Sequence, residues 1–349
     1  MAKKKKKEEE KKVASLDIAR KAILKKYGEG VISPLGDHED LQIDSVSTGS
    51  LALDSALGVR GMARGRLHEV YGPNSSGKST LALSVCMKAL QRNLNVAYVD
   101  AEHALDPKLV RNMGREMGVD PDVIDLVQGY TGDDNLEIAE ILMKSGELDV
   151  LVVDSVSALL PKQMAEGDIS DDYIGLLARL MSKACLKLTP IANRTNTLLI
   201  FINQIRHSIG KWGDDRITSG GEALGFYTTT RTRVQGGETA SSRIINDEGI
   251  VIGHESDFLI IKNKLSAPWR KAKIDLIYGR GYNFVEEVVS LGIDLGVIDQ
   301  SGAWYYYPPD QKVDKWNGRK AISDVFRENE DVYKELRHSV KEMLGLNCE

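Results

Sequence analysis

Gly72-Pro73-Asn74-Ser75-Ser76-Gly77-Lys78-Ser79 is the stretch whose reading decides the fold. Its spacing is G-x-x-x-x-G-K-[ST], that of a phosphate-binding loop. Arg66-Leu67-His68-Glu69-Val70-Tyr71 before it predicts a strand, and Thr80 to Leu90 after it predicts a helix. Gly72 and Gly77 tolerate backbone conformations closed to residues with a Cβ, so successive N–H groups can turn inward as an anion nest. The helix beginning near Lys78 adds its unpaired N–H groups and the positive end of its dipole. Lys78 can neutralise β- and γ-phosphate charge, and the Ser79 hydroxyl suits Mg²⁺, which takes hard oxygen donors. A chance match in a Gly/Ser-rich turn is the competing explanation; the strand–turn–helix context argues against it.

Working outward, strand and helix patterns alternate. Val96 to Asp100, Asp149 to Asp154 and Thr197 to Asn203 predict buried strands. Helices are predicted from Lys108 to Met117, opened by Asp106-Pro107, from Asp134 to Lys144, and from about Asp172 to Leu188. Continuous apolar strands alternating with helices imply an α/β fold, with a mostly parallel sheet covered on both faces. Ligands of such sheets sit beyond the carboxyl ends of the strands. Glu102, Asp154 and Gln204 lie at or just past such ends, as does the glycine loop. After Phe226, the runs Tyr227 to Val234, Asp257 to Lys262 and Ala272 to Tyr278 predict strands that extend the sheet, with an antiparallel option. Residues 284–349 predict a small α+β module whose aromatics, Trp304 to Tyr307, are packing residues ahead of a stacking platform. The expected organisation is a disordered Lys/Glu tail over 1–13, a subunit-docking helix and linker over 14–42, a core over 43–283, and the module over 284–349.

Composition narrows the function classes. The net charge of the 349-residue chain is −5, so bulk charge announces no nucleic-acid partner and any such surface must be local. Cys86, Cys185 and Cys348 are scattered and odd in number, which argues for a reducing compartment and against a thiolate metal site. No apolar run is long enough to span a bilayer, and the basic start lacks the apolar stretch of a secretory signal, so a soluble cytoplasmic protein is expected.

The strand-end residues allow definite chemistry. Asp154, closing a buried strand, is placed to hold Mg²⁺ directly or through water; a helix cap is the structural alternative. Glu102 could polarise an attacking water, or be a salt-bridged loop acid. Gln204 could bond a γ-phosphate and lose that bond on hydrolysis, or be a surface amide. Residues alone leave both pairs open. The stretch Ile205 to Gly221 predicts a long loop with three basic residues, Arg206, Lys211 and Arg216, one Trp, Trp212, and four glycines. Basic and aromatic groups on a glycine-rich backbone suit single-stranded nucleic acid. Pro161 to Tyr173 is a second candidate loop, but acidic. The six histidines show no metal-ligand spacing.

These stretches together resemble the bacterial RecA recombinase family. The phosphate loop, Asp100-Ala101-Glu102-His103-Ala104-Leu105-Asp106-Pro107, Val152-Val153-Asp154-Ser155-Val156 and Leu199-Ile200-Phe201-Ile202-Asn203-Gln204-Ile205-Arg206 carry the resemblance. Ser47 to Asp54 and Lys262 to Pro268 add to it, and the likeness runs in order over about 14–345. It implies a RecA-like P-loop NTPase core and an ATP-dependent recombinase, acting in recombination and repair. Such a protein polymerises on single-stranded DNA as a helical filament, pairs it with homologous duplex DNA and exchanges strands. ATP and Mg²⁺ are the implied cofactors. At matching positions Gly72 to Thr80 hold the phosphates, Ser79 and Asp154 the metal, and Glu102 activates water. Gln204 links the γ-phosphate to the loop ending at Gly220 and Gly221. Arg179 and Arg206 match DNA-contacting positions. Lys262 and Lys264 match residues reaching a neighbour's ATP, Phe226 an interface position, and Asp106 and Tyr278 the adenine pocket. The resemblance leaves open whether a self-cleaving repressor is a further partner.

This sequence departs from the family pattern at Leu109, where a stacking Tyr is common, and at Ser208, where a Lys is common. The loop is one residue short, with Trp212 standing for the usual Phe, and the end Leu346-Asn347-Cys348-Glu349 lacks a long acidic tail. Competing functions are a ring helicase or translocase on the same core, and a non-exchanging, ATP-gated accessory protein.

Overall fold

The computed structural model describes residues 2–28, 31–34, 43–168, 175–207, 216–237, 239–308 and 315–346. They fall into two units, 1–43 and 44–349. The first is dominated by one helix, α1 (Ala2–Tyr27). It takes in the Lys/Glu run expected to be disordered. Lys and Glu are unbranched and lose little side-chain freedom in a helix, so composition that forbids a core does not forbid a helix. Leu16, Ile18 and Tyr27 stay exposed on it.

The second unit opens with β1 (Ser45–Val46), α2 (Leu51–Leu57) and β2 (Met62–Ala63), which pairs antiparallel with β1. Then come β3 (Leu67–Gly72), α3 (Lys78–Leu90), β4 (Val96–Asp100), α4 (Pro107–Met117), β5 (Asp125–Val127), α5 (Gly132–Lys144) and β6 (Val150–Asp154). A short α6 (Lys162–Ala165) precedes α7 (Leu176–Thr195) and β7 (Leu198–His207). The chain continues as β8 (Arg216–Thr218), α8 (Ala223–Tyr227), β9 (Thr230–Gly236), β10 (Arg243–Ile245), β11 (Val251–Asn263), β12 (Lys271–Ile277) and β13 (Gly281–Tyr282). Last come α9 (Phe284–Asp294), β14 (Asp299–Ser301), β15 (Trp304–Tyr306), β16 (Lys315–Asn317), α10 (Arg319–Glu328) and α11 (Glu330–Met343).

The main sheet runs β13-β12-β11-β9-β3-β7-β6-β4-β5. From β9 to β5 the neighbours are parallel; β11, β12 and β13 add antiparallel. Alternation explains why the central strands read as unbroken apolar runs. Tyr98, Val150, Val152, Ile200 and Ile202 face a core beneath α2, α3 and α4. Ala97, Val99, Leu151, Val153, Leu199 and Phe201 face the opposite core, beneath α5 and α7. Each fully buried branched or aromatic side chain is worth about 1.5–3 kcal/mol.

Helix ends follow their signals. Asp106 caps α4, with Pro107 at the first position, and Thr131 with Asp134 forms a capping box on α5. The helix expected to stop at Leu188 instead runs to Thr195, through Pro190, because Ile191 and Ala192 continue its buried face. A separate apolar core joins α9, α10 and α11 to Tyr305 and Tyr307. Glu287 of α9 closes the N-terminus of α2, accepting from Ser50 Oγ and from the N–H groups of Leu51 (3.3 Å) and Ala52 (3.1 Å). Among the described residues no helix is long and apolar enough to cross a membrane.

Candidate functional site

The sheet register brings the predicted chemistry to one rim. Gly72 lies opposite Gln204, and Asp100 opposite Asp154, so β3, β7, β4 and β6 deliver their ends side by side. Between β3 and α3 runs the loop Pro73–Gly77. Gly77 carries φ +102°, as expected for the glycine that starts the helix, and no side chain caps α3 there. Its first amides therefore point out of the helix without a side-chain partner. Gly72 is different: its φ is not left-handed, and a Cβ would lie 2.1 Å from the Val234 carbonyl oxygen. Close approach of β9, not backbone freedom, demands that glycine. Ser76 Oγ donates to the Pro73 carbonyl (2.9 Å), and so does Lys78 Nζ (2.6 Å). Pro73 is half-buried, Asn74 and Ser75 are exposed, and Thr80 is half-buried on the first turn of α3.

Behind the loop stand two residues that periodicity hid. Tyr282 donates its hydroxyl to the Gly77 carbonyl (2.9 Å), and Ser256 donates to that of Ser76 (3.3 Å). Ser256 precedes the run expected as a strand from Asp257, and Tyr282 lies in β13, beyond the last run expected to extend the sheet.

The carboxylates divide the work. Asp154 Oδ2 accepts from Ser79 Oγ (2.7 Å) and from Tyr98 OH (2.6 Å). Burial pushes the Asp154 carboxyl above its usual range, against the Tyr98 and Ser79 hydroxyls, while Glu102 adds to the rise and Lys78 opposes it. Burial draws the Lys78 ammonium below the ordinary lysine range, with Asp154 and then Glu102 pulling back. Glu102 is exposed, and its Oε1 accepts from Ser155 Oγ (2.5 Å) and from Gln204 Nε2 (2.9 Å). Glu102 and Gln204 thus meet across the rim from different strands. Asp100 braces the turn carrying Glu102, accepting from the N–H groups of Ala104 (3.1 Å) and Leu105 (3.2 Å) and from Gln128 Nε2 (3.0 Å).

Mg²⁺ would find a fitting donor set here. Ser79 and Asp154 present two hard oxygens, and among the described residues no cluster of three or more His, Cys, Asp or Glu competes with them. This ion needs only one or two protein oxygens when phosphates and water complete its shell.

Other expected residues spread along the same edge. Asp106 is engaged as the cap of α4, accepting from the Lys108 N–H (2.8 Å). Tyr278 is about half exposed after β12, and Asn112 of α4 donates to the adjoining Gly279 carbonyl (2.8 Å), which ties the two neighbourhoods together. Leu109 packs against the core under α3. Lys262 Nζ donates to the carbonyls of Gly225 (2.7 Å) and Phe226 (3.0 Å), and Lys264 Nζ to that of Phe226 (3.1 Å). The Phe226 ring itself is 70% exposed, which suits a contact with another molecule.

The long loop expected after Gln204 needs correction. β7 runs on to His207 and pairs antiparallel with β8, with Arg206 opposite Ile217 and His207 opposite Arg216. The base is therefore a β-ribbon; the β-branched Ile and Thr residues that flank the glycines favour extension. Lys211, Trp212 and Ser208 lie outside the described residues. Gly220 and Gly221, at φ +83° and +73°, turn the chain back against α7, where a Cβ would lie 2.9 Å from Met181 and from Ala178 respectively. Arg179 is exposed on the first turn of α7. In the second candidate loop, Lys162–Ala165 is helical, and 169–174 lie outside the described residues.

Comparison with known proteins now bears on this rim. Residues 14–283 match the model of the RecA N-terminal domain, and 286–345 that of the RecA C-terminal domain. The chain belongs to the RecA family. It is 42% identical over 335 residues to Protein RecA of Bacillus licheniformis, and equally so to that of Bacillus subtilis (strain 168), covering 96% of this chain and 93% of each relative. It is 41% identical to Protein RecA of Lactobacillus acidophilus over 337 residues, 96% of this chain and 90% of the relative. Its function is that of a RecA recombinase with DNA-dependent ATPase activity. Nucleotide binding follows from that membership.

Proposed function

We propose that the rim formed by β3, β4, β6 and β7 binds ATP with Mg²⁺ and uses its hydrolysis to gate a filament on single-stranded DNA, which then pairs with homologous duplex. The observation that carries this reading is that the Ser79–Asp154 and Gln204–Glu102 hydrogen bonds lie at one sheet edge, with the Lys78 ammonium, anchored on the Pro73 carbonyl, feeling the charge of both carboxylates. The outward amides of α3 and Lys78 take the phosphates, and Ser79 and Asp154 hold the metal, which neutralises phosphate charge when bound. Glu102, exposed and oriented by Ser155, receives the proton of the attacking water. Gln204 has two acceptors to choose from. Its amide bonds Glu102, and a γ-phosphate competes for the same Nε2. Because Gln204 lies within β7, that exchange pulls on the strand that becomes the ribbon.

Arg206, Lys211, Trp212, Arg216, Gly220 and Gly221, with Arg179, form the DNA surface in this reading. Contacts to phosphates make binding fall with salt, and base pairing supplies the homology test. Lys262 and Lys264 reach a neighbour's nucleotide beside an exposed Phe226, and Asp106 and Tyr278 border the adenine. A head-to-tail seam of this kind propagates as a helix when its rotation does not close. A cytoplasmic setting suits the buried free thiols Cys86 and Cys185. The deciding experiment is strand exchange with homologous and heterologous duplexes in the presence of ATP and Mg²⁺. Products from the homologous duplex alone are expected; unwinding of both duplexes by closed rings would replace this reading with a helicase.

A further inference from the structure

A row of charged and polar groups crosses the sheet beside the nucleotide rim. Lys262 of β11 lies directly opposite Arg231 of β9, and Arg231 directly opposite Glu69 of β3. Asn203 of β7 sits one diagonal step further, since Tyr71 rather than Glu69 is its register partner. Glu69 and Asn203 are fully buried. Arg231 Nε donates to Glu69 Oε2 (2.5 Å), and Asn203 Nδ2 donates to Glu69 Oε1 (3.0 Å). The same Asn203 Nδ2 reaches the Ser219 carbonyl (2.9 Å), and Arg231 Nη2 reaches Thr218 Oγ1 (3.3 Å). Both of those acceptors belong to the returning arm of the β7–β8 ribbon. The Arg231 guanidinium also lies 4.9 Å from the centre of the Tyr71 ring, which fixes its plane.

We infer that Arg231, Glu69 and Asn203 are positioning residues that connect the Lys262 seam to the ribbon, a second line of coupling beside Gln204. This rests on the function proposed above. A lone buried carboxylate is costly, and one met by a guanidinium N–H and an amide N–H holds its partners in one geometry. Glu69 is such a hub, and each of its two partners holds one residue of the ribbon's return. At the far end, burial and then Lys264 draw the Lys262 ammonium down to about 8, with Arg231 adding to the effect and Glu69 opposing it. Lys262 donates to the Gly225 and Phe226 carbonyls. If a neighbour's phosphate takes those donors, the charge beside Arg231 changes, and Arg231 redistributes between Glu69 and Thr218. Buried networks of this kind have few alternative arrangements, so a shift at one end is passed on and not absorbed.

The test uses the full chain, with Glu69→Gln and Arg231→Lys. Lysine keeps the ion pair with Glu69 but has no second nitrogen to reach Thr218. Four quantities are read: thermal midpoint, ATP turnover without DNA, turnover with an oligo-dT strand, and oligo-dT affinity with a slowly hydrolysed ATP analogue against ADP. Turnover without DNA is expected to stay within about twofold of the parent, while stimulation by oligo-dT falls about fivefold or more in Glu69→Gln. The analogue-to-ADP ratio of DNA affinity falls with it, and Arg231→Lys lies between parent and Glu69→Gln. A folded variant that keeps both ratios at parental values overturns the inference. Should Glu69→Gln fail to fold, Arg231→Lys decides alone: unchanged ratios reject the bridge and reduced ratios support it. A parent protein whose turnover ignores DNA removes the underlying functional reading instead, and the bridge with it.

Discussion

β6 and β7 are neighbours in the sheet and reach the same rim, yet they leave it differently. β6 stops at Asp154, whose Oδ2 is committed to Ser79 and Tyr98. β7 passes Gln204 and continues to His207, paired with β8. A strand that stops gives a fixed group, held by partners from two other elements. A strand that continues turns a change at its middle into displacement further along. In the proposed function chemistry and transmission fall to adjacent strands, and each can be disturbed separately.

The largest effect is expected on the fixed side. Lys78→Ala should lower ATP hydrolysis by about 10³-fold or more with helix content retained, as read by phosphate release and circular dichroism. Parental turnover in the purified variant breaks the assignment of the loop. Glu102→Gln should lower turnover about 10²-fold while nucleotide and oligonucleotide still bind, because the amide keeps the shape but cannot take a proton. Normal turnover there would move the base elsewhere.

Tyr98→Phe sharpens the contrast further. It removes one donor from Asp154, so an effect of about 1–3 kcal/mol on stability is expected from denaturant titration, with turnover reduced less than in Glu102→Gln. A variant with unchanged stability would show that Tyr98 merely neighbours the carboxylate.

The smallest effect concerns a carboxylate away from either strand. Burial pushes Glu287 up to about 7, against the donation by Ser50 and the N–H groups capping α2. Its folded value lies above its unfolded value, so its contribution to stability is complete below the ordinary glutamate range. That contribution is lost as pH rises through about 7. Glu287→Gln should therefore flatten the change in melting temperature between mildly acidic and neutral pH relative to the parent. An identical pH profile would mean that Glu287 is ionised throughout.

The rim was legible where spacing encodes chemistry. The glycine loop, Asp154 at the end of an apolar run and the helix opened by Asp106-Pro107 all show in one dimension, because each depends on neighbours in the chain. Tyr98 was not legible: a hydroxyl inside VAYVD reads as packing until β6 lies beside β4. Glu69, Asn203 and Arg231 escaped for the same reason, since their partnership exists only across strands. The β7–β8 pairing reads as a loop in sequence because the glycines and charges of the stretch outweigh the few extended residues that pair. The Lys/Glu start reads as a tail by composition, yet it lies in α1, because lack of a core says nothing about local helix propensity.

Lys78 carries one more implication. Its ammonium commits one of three N–H donors to the Pro73 carbonyl, which anchors the side chain over its own loop and leaves two donors for an arriving anion. A single inorganic phosphate meets those donors alone. A polyphosphate can span the lysine and the amides of α3 together, so the tethered ammonium favours longer phosphate chains.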